Sequence, residues 1–433
     1  MKLTQANKIV GRIDLPGDKS ISHRAAMLAA LADGVSVISN FASSADCRST
    51  LEVLRNIGVE WEADGGTVRV SGKGGNGFRS PDLPLDCGNS GTTMRLFAGM
   101  AAGLGLRCEL IGDESLTRRP MQRIIEPLTK MGAEIRSTVG HAPLQISGNQ
   151  ALNGIEYRTP VASAQIKSSI LLAGLNASGT TCVIEAAASR DHTERMLGHF
   201  GVKIMESFDG KGRRVSIEGG QRLTAADIAV PADISSAAFF ACAAAALPDS
   251  QIEMPNVGLN PTRTAILEVL EQCGVEVAIE NRRTSANEPI GDLRVSYSGR
   301  LVKRDPNFAV RGPMVANLID EIPILAVLAT QIEGGLEFRD AAELRVKETD
   351  RISGVAENLR RMGADVREFP DGLRVERSEV HGAAVNSFGD HRIAMAFAVA
   401  GLFAEGETQI DGHECVNVSF PGFFEELESI VIR

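Results

Sequence analysis

Leu51-Glu52-Val53-Leu54-Arg55-Asn56-Ile57-Gly58-Val59-Glu60 is a helical stretch closed by a glycine and followed at once by a β-branched residue and the start of a strand. The same phrase returns in residues 125–134, 196–203, 266–276 and 355–365. Its glycines, Gly58, Gly132, Gly201, Gly274 and Gly363, stand 74, 69, 73 and 89 residues apart. A glycine just past the last helical residue is the left-handed C-cap, and the alternating residues after it begin a strand. A second phrase keeps step with the first: Ala-rich apolar helices ending in a small turn at 25–34, 94–103, 170–179, 237–249, 324–334 and 393–406. Phe423–Ile430 adds a sixth amphipathic helix after the last of them. Short closing strands such as Val68-Arg69-Val70, Leu144-Gln145-Ile146 and Val215-Ser216-Ile217 complete each unit.

A helix that is apolar on nearly all faces has to be wrapped by other elements. Six of them cannot lie outside a sheet. The pattern therefore predicts an α/β chain with helices inside and sheets around them, built from six βαβαββ repeats, three per domain. The division falls near residue 230, where Val230-Pro231-Ala232-Asp233 opens the fourth repeat. An open solenoid is the alternative, but it needs polar capping repeats and none is evident. Aromatics are scarce, 4% with one Trp and two Tyr, against 44 Gly, as closely enclosed helices and repeated turns require. With 45 Lys+Arg and 55 Asp+Glu the net charge is -10, which argues against a surface that tracks nucleic acid or anionic lipid. The longest apolar run, 237–247, falls short of the about 20 residues of a membrane helix. Seven cysteines without a CxxC pair, and no apolar leader in Met1-Lys2-Leu3-Thr4-Gln5, predict reduced thiols in a cytoplasmic protein.

Polar residues gather where the apolar helices start. Pro16-Gly17-Asp18-Lys19-Ser20-Ile21-Ser22-His23-Arg24 opens the first, Cys87-Gly88-Asn89-Ser90-Gly91-Thr92-Thr93-Met94-Arg95 the second and Ser163-Ala164-Gln165-Ile166-Lys167 the third. Ile319-Asp320-Glu321-Ile322-Pro323 opens the fifth and Ser387-Phe388-Gly389-Asp390-His391-Arg392 the sixth. Taken singly, Ser, Asn, Asp and Thr there are ordinary caps, and Asp191-His192-Thr193-Glu194 fits a capping box. Caps do not account for Lys19, Arg95 and Arg392. A helix N-terminus already carries about half a positive charge, so a cation beside it makes sense where an anion binds. Ser115-Leu116-Thr117-Arg118-Arg119-Pro120 and Glu343-Leu344-Arg345-Val346-Lys347-Glu348-Thr349-Asp350-Arg351 add to the basic count, with Lys347 and Arg351 spaced to share a helix face. Gly72-Lys73-Gly74-Gly75-Asn76-Gly77 spells a dinucleotide fingerprint, but Phe78-Arg79-Ser80-Pro81 cannot open the helix that motif requires, so the stretch predicts a turn. The seven His are scattered and not spaced as metal ligands. An anion site without metal or nucleotide is what these residues predict.

Four segments, 16–24, 88–95, 345–351 and 389–392, are similar in wording and order to the motifs of the 5-enolpyruvylshikimate-3-phosphate (EPSP) synthase family, and the resemblance spans essentially the whole chain. It implies the enolpyruvyl transferase fold, a two-domain inside-out α/β barrel, with residues 14–230 as one domain and 1–13 plus 231–433 as the other. It implies transfer of the enolpyruvyl group of phosphoenolpyruvate to the 5-hydroxyl of shikimate-3-phosphate. Lys19, Ser20, Arg24, Ser163, Ala164, Gln165, Arg190, Asp320 and Lys347 would hold shikimate-3-phosphate; Lys19, Asn89, Gly91, Arg119, Gln165, Arg351 and Arg392 would hold phosphoenolpyruvate. Addition–elimination needs two acid–base groups and a cation. Asp320 at the hydroxyl, with Glu348 and Lys19 at the methylene carbon, are the expected catalytic set. The resemblance further implies a monomer without cofactor or metal, inhibited by glyphosate in competition with phosphoenolpyruvate, resistant members often carrying Ala at the position of Gly91.

Ala164, Glu343 and Val418 depart from the best-studied branch, which has Ser, Asn and Lys there, and the Ser-Ala-Gln wording resembles the family's second class. Sibling UDP-N-acetylglucosamine enolpyruvyl transferases carry a Gly-Gly-Cys loop before their Arg-Pro and Lys-Asn in the first motif. Here Glu114 and Lys19-Ser20 stand at those places, favouring the shikimate substrate. A non-catalytic repeat scaffold that binds anions is the third reading, and it has no need of Asp320 and Glu348 beside the cations.

Overall fold

The computed structural model of the chain describes residues 1–148, 151–208, 210 and 212–433. They form two compact units. The first comprises Gly17–Val230 with Thr284–Glu288, the second Met1–Pro16, Pro231–Arg283 and Pro289–Arg433. The boundary expected between 13 and 14 thus falls between 16 and 17. Residues 284–288, expected in the second unit, belong to the first, where Ser285 Oγ donates to Ala229 O at 3.1 Å and Asn287 Nδ2 to Arg195 O at 3.1 Å.

The repeats of the first unit carry α1 (Lys19–Leu31), α2 (Ala45–Asn56), α3 (Gly91–Gly103), α4 (Gln122–Lys130), α5 (Ala164–Gly174) and α6 (His192–His199). Those of the second carry α7 (Ile234–Ala246), α8 (Ala265–Gln272), α9 (Ile322–Ala329), α10 (Arg351–Arg361), α11 (His391–Phe403) and α12 (Phe423–Ile430). The odd-numbered helices are the enclosed ones: every residue of α7 from Ile234 to Ala245 is buried. The even-numbered ones are amphipathic. In α4, Ile124, Ile125, Pro127 and Leu128 face the core, while Glu126 and Lys130 lie outside and pair with each other at 2.7 Å. Small residues let the enclosed helices approach closely. A Cβ on Gly99 of α3 would lie 2.0 Å from the backbone O of Ser169 on α5, and one on Gly103 would lie 3.0 Å from Ala173 O.

In the second repeat Leu85–Asp86 runs parallel to Cys108–Ile111, and the antiparallel strands His141–Ile146 and Ile135–Thr138 follow. The third repeat has the same order with Glu156–Arg158, Thr180–Glu185, Arg213–Glu218 and Ile204–Phe208. Parallel neighbours need a crossover, and the buried helix is that crossover. The first repeat takes its parallel partner from another part of the chain. Its Asp33–Ser39 strand takes Ile228–Ala229 as parallel partner, whereas Lys8–Arg12 runs parallel to Gln251–Gly258 of the fourth repeat. This exchange of opening strands is why the second unit is discontinuous in sequence.

The 72–77 stretch leaves the strand Thr67–Lys73 as a turn. All seven cysteines are free, and burial raises the thiols of Cys47, Cys108 and Cys273 to about 12, which leaves them unreactive at neutral pH. Among the described residues no helix is long and apolar enough to cross a membrane.

The α3–α5 contact yields a test. Gly99→Ala must force the two helices apart, and overpacking of this kind costs about 1–3 kcal/mol or more. Its denaturant midpoint should fall clearly below that of the native chain. Gly198→Ala on α6, where a Cβ meets nothing closer than 3.6 Å, should keep or raise it.

Candidate active site

In the first unit the N-terminal ends of α1, α3 and α5 are tied together by side chains. Asp18, Ser90 and Ser163 cap them by accepting from the backbone N–H of Ile21 (2.9 Å), Thr93 (3.0 Å) and Ile166 (3.5 Å). A buried chain crosses from α1 to α3 through α2. His23 Nδ1 lies 2.6 Å from Thr50 Oγ1, Thr50 Oγ1 lies 2.7 Å from Thr93 Oγ1, and Thr93 donates to Ser90 Oγ at 2.7 Å. Burial, reinforced by Lys19 and Arg24, holds the His23 pKa well below its ordinary value. Lys19 donates to Asp46 Oδ2 at 2.9 Å. Arg24 is 4% exposed and donates to Thr193 Oγ1 (2.7 Å), Ser20 O (2.8 Å) and Ser168 Oγ (2.9 Å). Burial lowers its pKa to about 10, with Glu194 opposing, so it stays cationic at neutral pH. Arg95 donates to Gln165 Oε1 at 2.6 Å, and Gln165 Nε2 to Thr92 Oγ1 at 2.9 Å, which joins α3 to α5. Buried Arg119 donates to Asn89 Oδ1 at 2.7 Å. Gly91 sits against both arginines: a Cβ there would lie 3.1 Å from Arg95 Nη1 and 3.4 Å from Arg119 Nη1.

The second unit arranges its helix ends around one guanidinium. Arg351, the first residue of α10 and 2% exposed, donates through Nε to Asp390 Oδ2 (2.7 Å), through Nη1 to Asp320 Oδ1 (3.3 Å) and through Nη2 to Glu348 Oε2 (2.7 Å). Burial alone would lower its pKa, but Asp390, Glu348 and Asp320 more than offset this and raise it. Asp390 also caps α11 by accepting from Arg392 N at 2.8 Å. Arg392 Nη1 donates to Asp320 O at 3.1 Å and lies 3.9 Å from Glu321 Oε1. Glu321 accepts from Ser235 Oγ, which in turn accepts from Arg263 Nη2 at 2.6 Å. Burial pulls the Lys347 ammonium pKa down, Asp320 opposing and Arg351 adding to it. Two carboxylates able to move protons are thus set in a frame of cations.

The residues singled out in the sequence fall into two groups. Lys19, Ser20, Arg24, Asn89, Gly91, Arg119, Ser163, Ala164 and Gln165 lie at the helix ends of the first unit, and Asp320, Lys347, Glu348, Arg351 and Arg392 at those of the second. Arg190 is half-buried ahead of α6, near enough to Arg24 to act on its pKa. Two local readings fail. Asp191 makes no capping bond and accepts instead from Arg195 Nε at 2.9 Å, while Glu194 turns inward to Lys167 at 2.7 Å. Lys347 and Arg351 share no helix face, since Lys347 closes the 3-10 turn Ala342–Val346 and α10 starts at Arg351 behind its cap, Asp350. Asp46, Ser168, Thr193, Arg263, Glu321 and Asp390 were not picked out. Asp390 could have been, as an acidic cap directly ahead of two basic residues; Arg263 has no local signal. A cavity of about 740 Å³ lined by Arg55, Trp61, Arg69, Lys73 and Arg79 involves none of the predicted site residues. Among the described residues no group of His, Cys, Asp or Glu is arranged to hold a metal ion.

A family model described as EPSP synthase (3-phosphoshikimate 1-carboxyvinyltransferase) matches residues 3–427. The chain is 49% identical over 438 residues to the 3-phosphoshikimate 1-carboxyvinyltransferase of Salinibacter ruber and 48% identical over 434 residues to that of Bacillus subtilis, with 99% of both chains covered in each case. Among solved structures, an EPSP synthase from Acinetobacter baumannii superposes with a TM-score of 0.88 at 41% identity, covering 100% of this chain and 98% of the other.

The buried His23 makes stability depend on pH. Folded, its pKa is lowered; unfolded, it returns to about 6.5. As pH falls below that value the unfolded chain takes up a proton that the folded one does not, so the contribution is complete above 6.5 and is lost on acidification. The melting temperature should drop between pH 7.5 and pH 5.5, and drop less in His23→Gln.

Proposed function

The chain belongs to the EPSP synthase family and catalyses that family's enolpyruvyl transfer to shikimate-3-phosphate; we propose that its two groups of residues divide the work as follows. Lys19, Ser20, Arg24, Ser163, Ala164, Gln165 and Arg190, with Asp320 and Lys347, hold shikimate-3-phosphate. Lys19, Asn89, Gly91, Arg119, Gln165, Arg351 and Arg392 hold phosphoenolpyruvate. Paired arginine forks suit its carboxylate and phosphate. Asp320 takes the proton of the 5-hydroxyl as that oxygen attacks C2 of phosphoenolpyruvate, and Glu348, with Lys19, gives a proton to the methylene carbon. The tetrahedral intermediate then returns a proton from the methyl carbon as the C–O bond to phosphate breaks, which restores the double bond and releases phosphate. No cofactor enters this scheme, and we read the protein as a cytoplasmic monomer.

The observation that carries this reading is Arg351, whose guanidinium is bonded to Asp320 and Glu348 at once. An incoming anion that claims Arg351 must contest it with these carboxylates, so substrate binding and the freeing of a proton carrier are linked. An anion-binding scaffold has no use for that arrangement.

Phosphate release separates the alternatives. It should require phosphoenolpyruvate with shikimate-3-phosphate; release with UDP-N-acetylglucosamine instead would assign the chain to the sibling activity. In deuterated water, Asp320→Asn and Glu348→Gln should each lower kcat by about 10²–10⁴, and Glu348→Gln should suppress deuterium entry into the methylene group the more strongly. The opposite order would exchange their roles.

Glyphosate is expected to inhibit in competition with phosphoenolpyruvate. Because a methyl group at Gly91 meets Arg95 at 3.1 Å and Arg119 at 3.4 Å, Gly91→Ala should raise the inhibition constant on the order of tenfold, equivalent to about 1.4 kcal/mol. Full activity of the native chain in millimolar glyphosate would contradict this.

A further inference from the structure

One ion cluster of the first unit takes no part in the scheme above. Lys167 on α5 is fully buried, its Nζ 2.8 Å from Glu185 Oε2 and 2.7 Å from Glu194 Oε1. Arg213 Nη1 completes the cluster, 3.3 Å from Glu194 and 3.7 Å from Glu185. Glu206 Oε2 lies 3.0 Å from Arg213 Nη2 as well, so two cations face three carboxylates and the cluster brings no surplus positive charge with which to bind an anion. Nor is such a group needed for stability, since apolar packing of the same volume is often as good or better.

Its placement suggests another use. Glu185 ends the strand Thr180–Glu185 and Glu194 lies in the first turn of α6, so the two carboxylates flank residues 186–191, the segment that carries Arg190. Within that segment Ser189 Oγ donates to Glu185 Oε1, and Ser189 O accepts from Lys167 Nζ at 3.5 Å. Ser168, adjacent to Lys167, and Thr193, adjacent to Glu194, are the two hydroxyls that accept from Arg24. A single ammonium therefore fixes the segment at its start, middle and end, one residue away from each hydroxyl that orients Arg24.

We propose that Lys167 is a positioning residue, whose cluster with Glu185 and Glu194 holds the segment that carries Arg190, and with it Arg24, in place for shikimate-3-phosphate. This rests on the assignment of both arginines to that substrate. Arg190 bears on the charge of Arg24, and since like charges repel, their placement has to be imposed by the framework behind them.

Lys167→Met combined with Glu185→Met removes one cation and one anion together, leaves Arg213 paired with Glu194, and strips Ser189 of both partners. With folding checked by thermal unfolding, KM for shikimate-3-phosphate should rise about tenfold or more, while kcat and KM for phosphoenolpyruvate stay within about twofold. Ser189→Ala should show the same split more weakly and Ser189→Thr should reverse it; this pair decides the matter if the double variant does not fold. Arg190→Met is the control for the substrate assignment. If Arg190→Met raises KM for shikimate-3-phosphate and the folded cluster variants do not, or if the cluster variants move kcat and both KM values together, the cluster serves the fold alone and the proposal is overturned while the assignment stands. If Arg190→Met leaves that KM unchanged, the assignment fails and the proposal fails with it.

Discussion

A helix enclosed by protein on every side has only its ends left for polar chemistry, and the rest of this structure depends on that constraint. From Ile234 to Ala245 in α7 and from His391 to Leu402 in α11 every residue is buried, so a charge placed along either helix needs an internal partner. Close packing removes what freedom is left: the backbone of α3 at Gly99 touches that of α5 with no space for a methyl group. The N-terminal N–H groups still need acceptors and still carry their partial positive charge. Carboxylates, hydroxyls and anions are what such ends select, and most of the site residues collect there for that reason, while Lys347, Glu348 and Arg351 come in at the start of the amphipathic α10.

The two units fill the same kind of end differently. In the first, Arg24 rests on a carbonyl and two hydroxyls, partners that orient a cation and leave its charge for a ligand. In the second, Arg351 is held by Asp320, Glu348 and Asp390. A ligand anion would add to the first arrangement and compete within the second. Charge-assisted bonds to a guanidinium are strong and directional, so competition for Arg351 changes the surroundings of Asp320 and Glu348 together. On the proposed reading, the first kind of end serves binding and the second serves proton transfer that begins only when substrate is present.

The repeats were legible because helix periodicity and glycine caps are local. Strand exchange has no such local signal: nothing within Lys8–Arg12 says that its parallel partner lies at Gln251–Gly258, since pairing is decided by which edge the folded chain leaves open, and the placement of 1–13 with the second domain comes from the family resemblance alone. The site was legible in part for the same reason. Lys19 and Arg392 announce themselves as cations beside caps, and Arg351 as part of a basic segment. Apart from Glu348 beside Arg351, their counter-charges come from far along the chain, as Asp46 does for Lys19 and Asp390 for Arg351. The capping box at 191–194 has the right wording but the wrong energetics. Glu194 pairs with the buried ammonium of Lys167 instead of reaching back to the backbone N–H of Asp191, and Asp191 pairs with Arg195.

Capping and function are therefore not rival explanations of these polar residues. Asp390 accepts from Arg392 N with one oxygen and from Arg351 Nε with the other. A neutral cap such as Ser would satisfy the helix, at a cost within about 1 kcal/mol of Asp, and would leave Arg351 with one carboxylate fewer. Asn would keep the shape and lose the charge. Only Asp serves both demands in the volume available beside a fully enclosed helix, and Asp350, which caps α10 while pairing with Arg345, repeats the economy. Where the flanks of a helix are closed, each side chain at its end has to serve the backbone and the chemistry together, so the residue choices there are narrower than either role alone would require.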